Sequence, residues 1–285
     1  IQSLDAQIRL LDATVIAFQK SLELTNNRYN AGVASRGDVL QAETQLKTTQ
    51  AQAIDLEVLR AQTEHAVAVL LGKAPADFSL TVRPAVAAPP AIPGGVPKEL
   101  LPRRPDVASA ERTMAAANAQ IGVAQSAYYP TVSINTSGGF ESESIGNWFS
   151  VLGRFWSAGI AATQTLFDGG LRQSQVESAR AVYEQDAAAY RQTVLTGYQE
   201  VEDNLAAQRI LANEAQVQDD AVNAAEQSLT VTMNQYQAGI VSYLNVVVAQ
   251  TLALNNEKTA VDIRGRRLNA CVLLIKALGG GWKGF

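Results

Sequence analysis

The stretch NRYNAGVASRGDVLQA, residues 27–42, returns as NQYQAGIVSYLNVVVA at residues 234–249. The second copy is numbered 207 higher, and the match runs without a gap from Ser21–Gly72 to Ser228–Gly279. Tyr29 and Tyr236, Gly32 and Gly239, Ser35 and Ser242 hold equivalent places. A duplication of this length marks one supersecondary unit used twice. Each copy reads as a helix stop followed at once by a helix start. Gly32 and Gly239 stand where a helix end needs a left-handed residue, which glycine adopts without a Cβ penalty. Three residues later Ser35 and Ser242 suit the N-cap, with Asp38 and Asn245 at the capping-box position. So short a connection forces the two helices to run antiparallel and adjacent. The phrase therefore reads as the tip of a helical hairpin; two unrelated helix corners would not keep one register.

Composition narrows the function classes. The chain has 285 residues, 47% hydrophobic and 6% aromatic, with a net charge of −4. That balance suits one or two folded domains, and no concentrated basic face calls for nucleic acid. One cysteine and one histidine exclude a disulfide scaffold, a Cys/His metal cluster and a Cys/His nucleophile pair. Cys271 in an apolar run and His65 inside a helix read as packing or surface residues. No Gly-rich phosphate loop follows a strand-like run, so no cofactor is expected. No run of 18 apolar residues encodes a transmembrane helix, and no signal peptide is legible. Ile1 opens in the middle of an amphipathic pattern, which leads us to expect sequence upstream of it.

All nine prolines fall between Pro75 and Pro130. The chain accordingly divides into a first helical hairpin over 1–72, its tip near 30–38, and a Pro-rich linker over 73–105. A helix over 106–128 comes next, then two strands within 129–168 around a loop at 141–154. A long helix and its return fill 171–279, with a tip near 237–245. The helix from 106 carries Val107, Ala110, Met114, Ala117, Ile121, Ala124 and Tyr128 at alternating steps of three and four, a heptad seam. From Leu171 to Ala238 there is no proline and one internal glycine, Gly197. At about 1.5 Å per residue that segment makes a rod of roughly 100 Å. A compact chain of this size has a radius of gyration of only about 19 Å. The expected fold is mainly α: an elongated antiparallel helical bundle or coiled coil carrying a two-stranded β hairpin.

The hairpin has period-two alternation. Val132, Ile134 and Phe140 share one side and Thr131, Ser133, Asn135 and Ser137 the other; Trp156, Ala158, Ile160 and Ala162 alternate with Ser157, Gly159, Ala161 and Thr163. Two readings fit: a hairpin facing a soluble core, or barrel strands between lipid and a polar lumen. Aromatics favour the barrel. Tyr128, Tyr129 and Phe167 gather at one end and Phe140, Trp148, Phe149, Phe155 and Trp156 at the other, like the two girdles that bilayer interfaces select.

These pieces together resemble the TolC-like outer-membrane efflux channels, the group that includes OprM-type lipoprotein channels. The similarity is carried by RRPDVASAERTMAAANAQIGVAQSAYYPTVS, TLFDGG at 165–170, the two YxAG…S tips and LLIKALGGGW near the end. It implies a homotrimer in which each protomer gives four strands to a 12-stranded transmembrane barrel and helices to a periplasmic tunnel. It also implies that the tips dock on a periplasmic adaptor protein, and that an inner-membrane pump drives export of small toxic molecules through a duct that does no chemistry. By that resemblance Tyr29, Gly32, Ser35, Asp38, Val39, Tyr236, Gly239, Ser242 and Asn245 occupy the docking tips. Leu244 and Val248, four apart on one helix face, match the tunnel constriction, although ordinary helix–helix core explains that spacing equally. Where the family often has an acidic residue and then an arginine, this chain has Val248 and Thr251, so an apolar plug is expected in place of an electrostatic gate. Two strands per protomer leave such a barrel incomplete, so we expect this chain to be part of a longer protomer. The competing reading is a soluble coiled-coil scaffold whose hairpin packs on its helices.

Overall fold

The computed structural model describes residues 1–82, 104–147 and 149–280. Most of the Pro-rich linker and Trp148 lie outside the described residues. Five helices and one hairpin follow in the order α1 (Gln2–Asn30), α2 (Arg36–Leu70), α3 (Pro105–Ser126), β1 (Thr131–Phe140), β2 (Arg154–Thr163), α4 (Leu171–Gln237) and α5 (Tyr243–Ala277). The duplication is exact in its punctuation: α2 and α5 both have 35 residues and begin and end at equivalent positions. Left-handed glycines stop all four helices of the repeats. Gly32 (φ 75°) answers Gly239 (φ 76°), and Gly72 (φ 69°) answers Gly279 (φ 88°).

The chain divides into two compact units. The first holds α1, α2, α5 and the part of α4 from Glu200 onward. Its helices pair through heptad rows: Leu11, Phe18 and Thr25 on α1, and Ala42, Leu46, Thr49 and Ala53 on α2. The small residues in these rows let neighbouring helices approach closely. Where α1 meets α5, a side chain on Gly265 would lie 3.2 Å from the Ser3 Cβ. Hairpin α4/α5 is clasped by polar bonds as well. The Gln218 amide donates to the carbonyl and side-chain oxygens of Asn256, both at 3.0 Å, and Arg264 pairs with Asp219 at 3.2 Å.

An ion-pair node ties the chain beyond α2 back to the first hairpin. Arg60 donates to buried Asp5 (2.7 Å), to Glu64 (2.8 Å) and to the Leu80 carbonyl (3.0 Å), while the Leu80 N–H donates to Glu64. The Asp5 hydrogen bond, more than any other contact, raises the Arg60 pKa above the usual guanidinium value.

The second unit holds α3, the hairpin and α4 as far as Gln199. In α3 the buried positions, Val107 and Ala117, both belong to the predicted heptad seam. Arg104 grips Asp106 at 2.7 and 3.0 Å at the start of that helix and lowers its pKa. Cys271, in the first unit, is buried, and burial pushes its thiol pKa up, as suits a packing residue.

Candidate functional site: two capped tips and an exposed apolar strand face

Both tips close with the same pair of backbone bonds. Gly32 N–H donates to the Tyr29 carbonyl (2.9 Å) and Val33 N–H to Arg28 (2.9 Å); Gly239 donates to Tyr236 (3.0 Å) and Ile240 to Gln235 (2.9 Å). They differ at the next helix start. Ser35 and Asp38 form a full capping box: the Ser35 N–H donates to the Asp38 carboxylate (2.9 Å), and the Asp38 N–H donates to the Ser35 hydroxyl (3.1 Å). Ser242 has the extended backbone of an N-cap, but its hydroxyl makes no cap bond, contrary to the sequence expectation. Asn245 lacks the carboxylate that locks Ser35, and its N–H reaches only the Ser242 carbonyl, at 3.2 Å.

The tyrosines also diverge. Tyr29 is 43% exposed, whereas Tyr236 is 3% exposed. Tyr236 is covered by Arg28, whose guanidinium lies 4.7 Å from the ring centroid and donates to the carbonyl of Gln237, the last residue of α4, at 2.7 Å. A cation at that place complements the negative end of α4. Tyr236 and Tyr243 meet edge to face at 5.4 Å, and the Tyr243 hydroxyl shares a hydrogen bond of 3.1 Å with Ser21. Gln250 donates to the same Ser21 hydroxyl at 3.3 Å. Burial pushes the Tyr243 phenol above its ordinary pKa. Sequence reasoning missed this joint between the hairpins, although a mismatch inside the repeat marks it: Arg28 corresponds to Gln235.

Of the remaining tip residues, Val39 is half-buried. Leu244 and Val248 are exposed, at 53% and 61%, on the side of α5 away from buried Tyr243, Val246 and Ala249. Leu244 and Val247 line a shallow groove with Leu40, Gln41, Thr44 and Gln45.

In the hairpin, β1 and β2 run antiparallel with Val132 opposite Ala162, Ile134 opposite Ile160 and Gly138 opposite Trp156. Directly opposed residues share a face. One face therefore carries Val132, Ile134, Phe140, Trp156, Ala158, Ile160 and Ala162, with Thr136, Gly138 and, opposite Phe140, Arg154; the other carries Thr131, Ser133, Asn135, Ser137, Ser157 and Thr163, with Gly159 and Ala161. The apolar face is open: Val132, Ile134, Trp156 and Ile160 are all largely exposed. On the polar face the Ser137 and Ser157 hydroxyls bond at 2.7 Å. Phe155 lies on that polar face as well, across Gly139, where any Cβ would meet its ring at 3.0 Å. On the apolar face Phe140 continues into the loop through an edge contact with Phe149 at 5.6 Å. Tyr128, Tyr129 and Phe167 flank the opposite end and are exposed.

The TLFDGG stretch sets the base of the hairpin. Gly169 and Gly170 turn through positive φ (63° and 95°), and the Asp168 carboxylate caps α4 by accepting from the Gly170 (3.1 Å) and Arg172 (3.2 Å) N–H groups. Arg172 pairs with Asp168 and lies 5.3 Å from the Tyr128 ring centroid, joining the start of α4 to the end of α3. Among the described residues no helix is long and apolar enough to cross a membrane. Strands of ten residues have the ~9–11 residues that a tilted barrel strand needs to span a bilayer.

The family model for outer membrane efflux proteins matches residues 1–73 and 96–280. The chain belongs to the outer membrane efflux protein family. This places it at the outer membrane of a Gram-negative bacterium. It is 31% identical over 282 residues to the probable efflux pump outer membrane protein TtgC of Pseudomonas putida, covering 99% of this chain and 58% of that protein. It is also 31% identical over 278 residues to the outer membrane protein OprJ of Pseudomonas aeruginosa, covering 97% of this chain and 58% of the relative. Among solved structures, the outer membrane protein VceC of Vibrio cholerae superposes with a TM-score of 0.84 at 29% identity, over 99% of this chain and 67% of that one. The chain thus spans a little over half the length of these curated relatives. The family expected from the tips, the TLFDGG turn and the C-terminal glycines is the family found.

Proposed function

We propose that this chain forms the greater part of one protomer of a passive exit duct for small toxic molecules, the outer-membrane stage of a tripartite export system. One observation carries the reading: a hairpin of two ten-residue strands with an exposed, largely apolar face and an opposite, largely polar face, in a chain whose helices turn at two equivalent tips. Water disfavours a contiguous apolar face of that kind, whereas acyl chains cover it at no cost. Both strands also keep one unpaired edge among the described residues, as barrel strands awaiting neighbours do. The scaffold reading needs this face packed on helices, and it is open.

In this proposal the protomer assembles as a homotrimer. Tyr128, Tyr129, Phe140, Phe155, Trp156 and Phe167 sit near the bilayer interfaces. Tyr29, Gly32, Ser35, Asp38, Val39, Tyr236, Gly239, Ser242 and Asn245 form the face that meets a periplasmic adaptor, which in turn links to an inner-membrane pump. Leu244 and Val248 form an apolar constriction, and transport involves no bond-making. The test is reconstitution of the full-length protein into planar bilayers alongside fractionation of cells expressing it. Outer-membrane recovery with stable channel conductance is expected. A full-length protein recovered only from the soluble fraction and silent in bilayers would overturn the proposal.

A further inference from the structure

Arg154 is the one charged residue in either strand of the hairpin. The pairing puts it on the apolar face, directly opposite Phe140 and two residues from Trp156. All three side chains are exposed, and among the described residues the guanidinium makes no ion pair or hydrogen bond. The two carboxylates nearest in sequence, Glu141 and Glu143, are exposed and do not pair with it. Nor does the arginine sit on a loose segment. The Glu141 N–H donates to the Gly153 carbonyl at 2.8 Å, and the Glu141 carbonyl leaves no room for a Cβ on Gly153. The strands thus close right beside Arg154 and hold it at a fixed height. From Thr163 to Arg154, nine residue steps, β2 rises about 30 Å. A barrel strand tilted by ~40° covers about 23 Å of membrane depth in that length, against an apolar band of ~25 Å. A lipid-facing arginine is penalised at the bilayer midplane and tolerated at the interface. Arg154 stands where acyl chains give way to headgroups, at the end of the hairpin opposite α3 and α4.

We propose that Arg154, framed by Phe140 and Trp156, binds a phosphate of the phosphorylated glycolipid that forms the cell-surface leaflet of a Gram-negative outer membrane. The inference rests on the bilayer-facing reading above and adds a lipid class and the residue that selects it. Charge and shape agree with this occupant. The planar guanidinium presents a fork of N–H donors that takes two oxygens of one phosphate. Its neighbours are aromatic rings of the kind that settle between acyl chains and headgroups. The apolar surface continues past the strands, because Phe149 meets Phe140 edge to face at 5.6 Å and is itself largely exposed, as are Val151 and Leu152. At the other end of the hairpin the arginine beside Tyr128 is in a different state: Arg172 is paired with Asp168. The two ends therefore offer lipid different chemistry, and only the loop end presents an arginine without a carboxylate partner among the described residues.

The test uses the full-length protein, as wild type, Arg154→Gln and Arg154→Lys, in phosphatidylcholine vesicles doped with either bisphosphorylated or fully dephosphorylated lipid A. After transfer to mild detergent, native mass spectrometry counts the lipid A that stays bound. Wild type should retain the bisphosphorylated lipid and hold the dephosphorylated one about tenfold less well, the effect of losing one charged hydrogen bond. Arg154→Gln should hold the bisphosphorylated lipid about tenfold less well too. Arg154→Lys should fall between, since an ammonium keeps the charge and loses the fork. Equal retention by wild type and Arg154→Gln, or no preference for the phosphorylated lipid, overturns the proposal. Displacement of the lipid by millimolar inorganic phosphate also overturns it, because the site would then be one for the free ion. Flotation of the same vesicles separates two ways of failing. Protein that floats with the vesicles and ignores the lipid phosphate loses the lipid site alone; protein that enters neither kind of vesicle loses the bilayer-facing reading with it.

Discussion

Replacing Arg28 with glutamine gives the first tip the residue that the second repeat carries at Gln235, and so removes a cation that joins the hairpins at their tips. Two contacts are lost: a charged hydrogen bond of 2.7 Å to the end of α4 and the cation–π contact at 4.7 Å. A hydrogen bond from a charged donor contributes about 1.5–3 kcal/mol, the low end applying to this solvent-exposed one. The cation–π contact adds about 0.5–1 kcal/mol at an exposed site. Glutamine keeps a neutral donor that restores roughly 1 kcal/mol, so the net loss is about 1–2 kcal/mol. That corresponds to a local opening equilibrium shifted by roughly 5–30-fold. Amide hydrogen exchange of the full-length protein reads it directly: backbone amides of 238–241 should exchange faster by that factor in Arg28→Gln, while those of 31–34 should not change. Equal acceleration at both tips, or none at either, would refute the bridging role. Tyr236→Leu should make the Arg28 substitution less costly by about 0.5–1 kcal/mol, the coupling of a direct contact.

Gly239→Val forces a β-branched residue to φ 76°, a left-handed strain of at least about 1–2 kcal/mol; under the proposed function thermal melts should fall and drug resistance of complemented cells should be lost, with the mass of the assembly unchanged. Glu257 has its pKa raised, first by burial and then by the charge of Glu226. The folded state therefore holds that proton more tightly than the unfolded chain does. The benefit is complete below the ordinary glutamate value of about 4.3 and is lost as pH rises through the folded value. Glu257→Gln should accordingly raise the melting temperature at pH 7 and change it little at pH 4. Arg60→Ala leaves the Asp5 carboxylate buried without its partner and should cost about 3 kcal/mol. Limited proteolysis should then cut near Leu80 sooner, whereas unchanged cleavage would mean that the node does not hold that segment.

Much of this architecture is legible in the residues because its punctuation is local. Gly32, Gly239, Gly72 and Gly279 each end a helix where the sequence shows them, and the absence of proline from 131 onward leaves α4 free to run for 67 residues. The strand alternation likewise survives intact in the pairing of Ile134 with Ile160. What the sequence hides is distant or depends on one atom. Arg28 and Gln237 are 209 residues apart, and no periodicity links them. Ser242 looks like Ser35 until the missing carboxylate at position 245 is weighed. Phe155 joins the aromatic group at the loop end by position along the strand, yet the pleat turns it to the polar side, over Gly139. The role of TLFDGG is hidden in the same way, since Asp168 acts by capping a helix that begins after two left-handed glycines.

The most direct measurement is a single-cysteine scan along β1 and β2 of the full-length protein in vesicles, read by two probes: fluorescence quenching from brominated acyl chains and labelling by a charged, membrane-impermeant thiol reagent. Positions 132, 134, 158 and 160 should be quenched by lipid and resist the reagent, while 133, 135, 157 and 159 should label from water and ignore the lipid. Period-two alternation between the probes is the expected result. Uniform labelling of both faces, or protection of the apolar face without any quenching by lipid, would contradict a bilayer-facing hairpin.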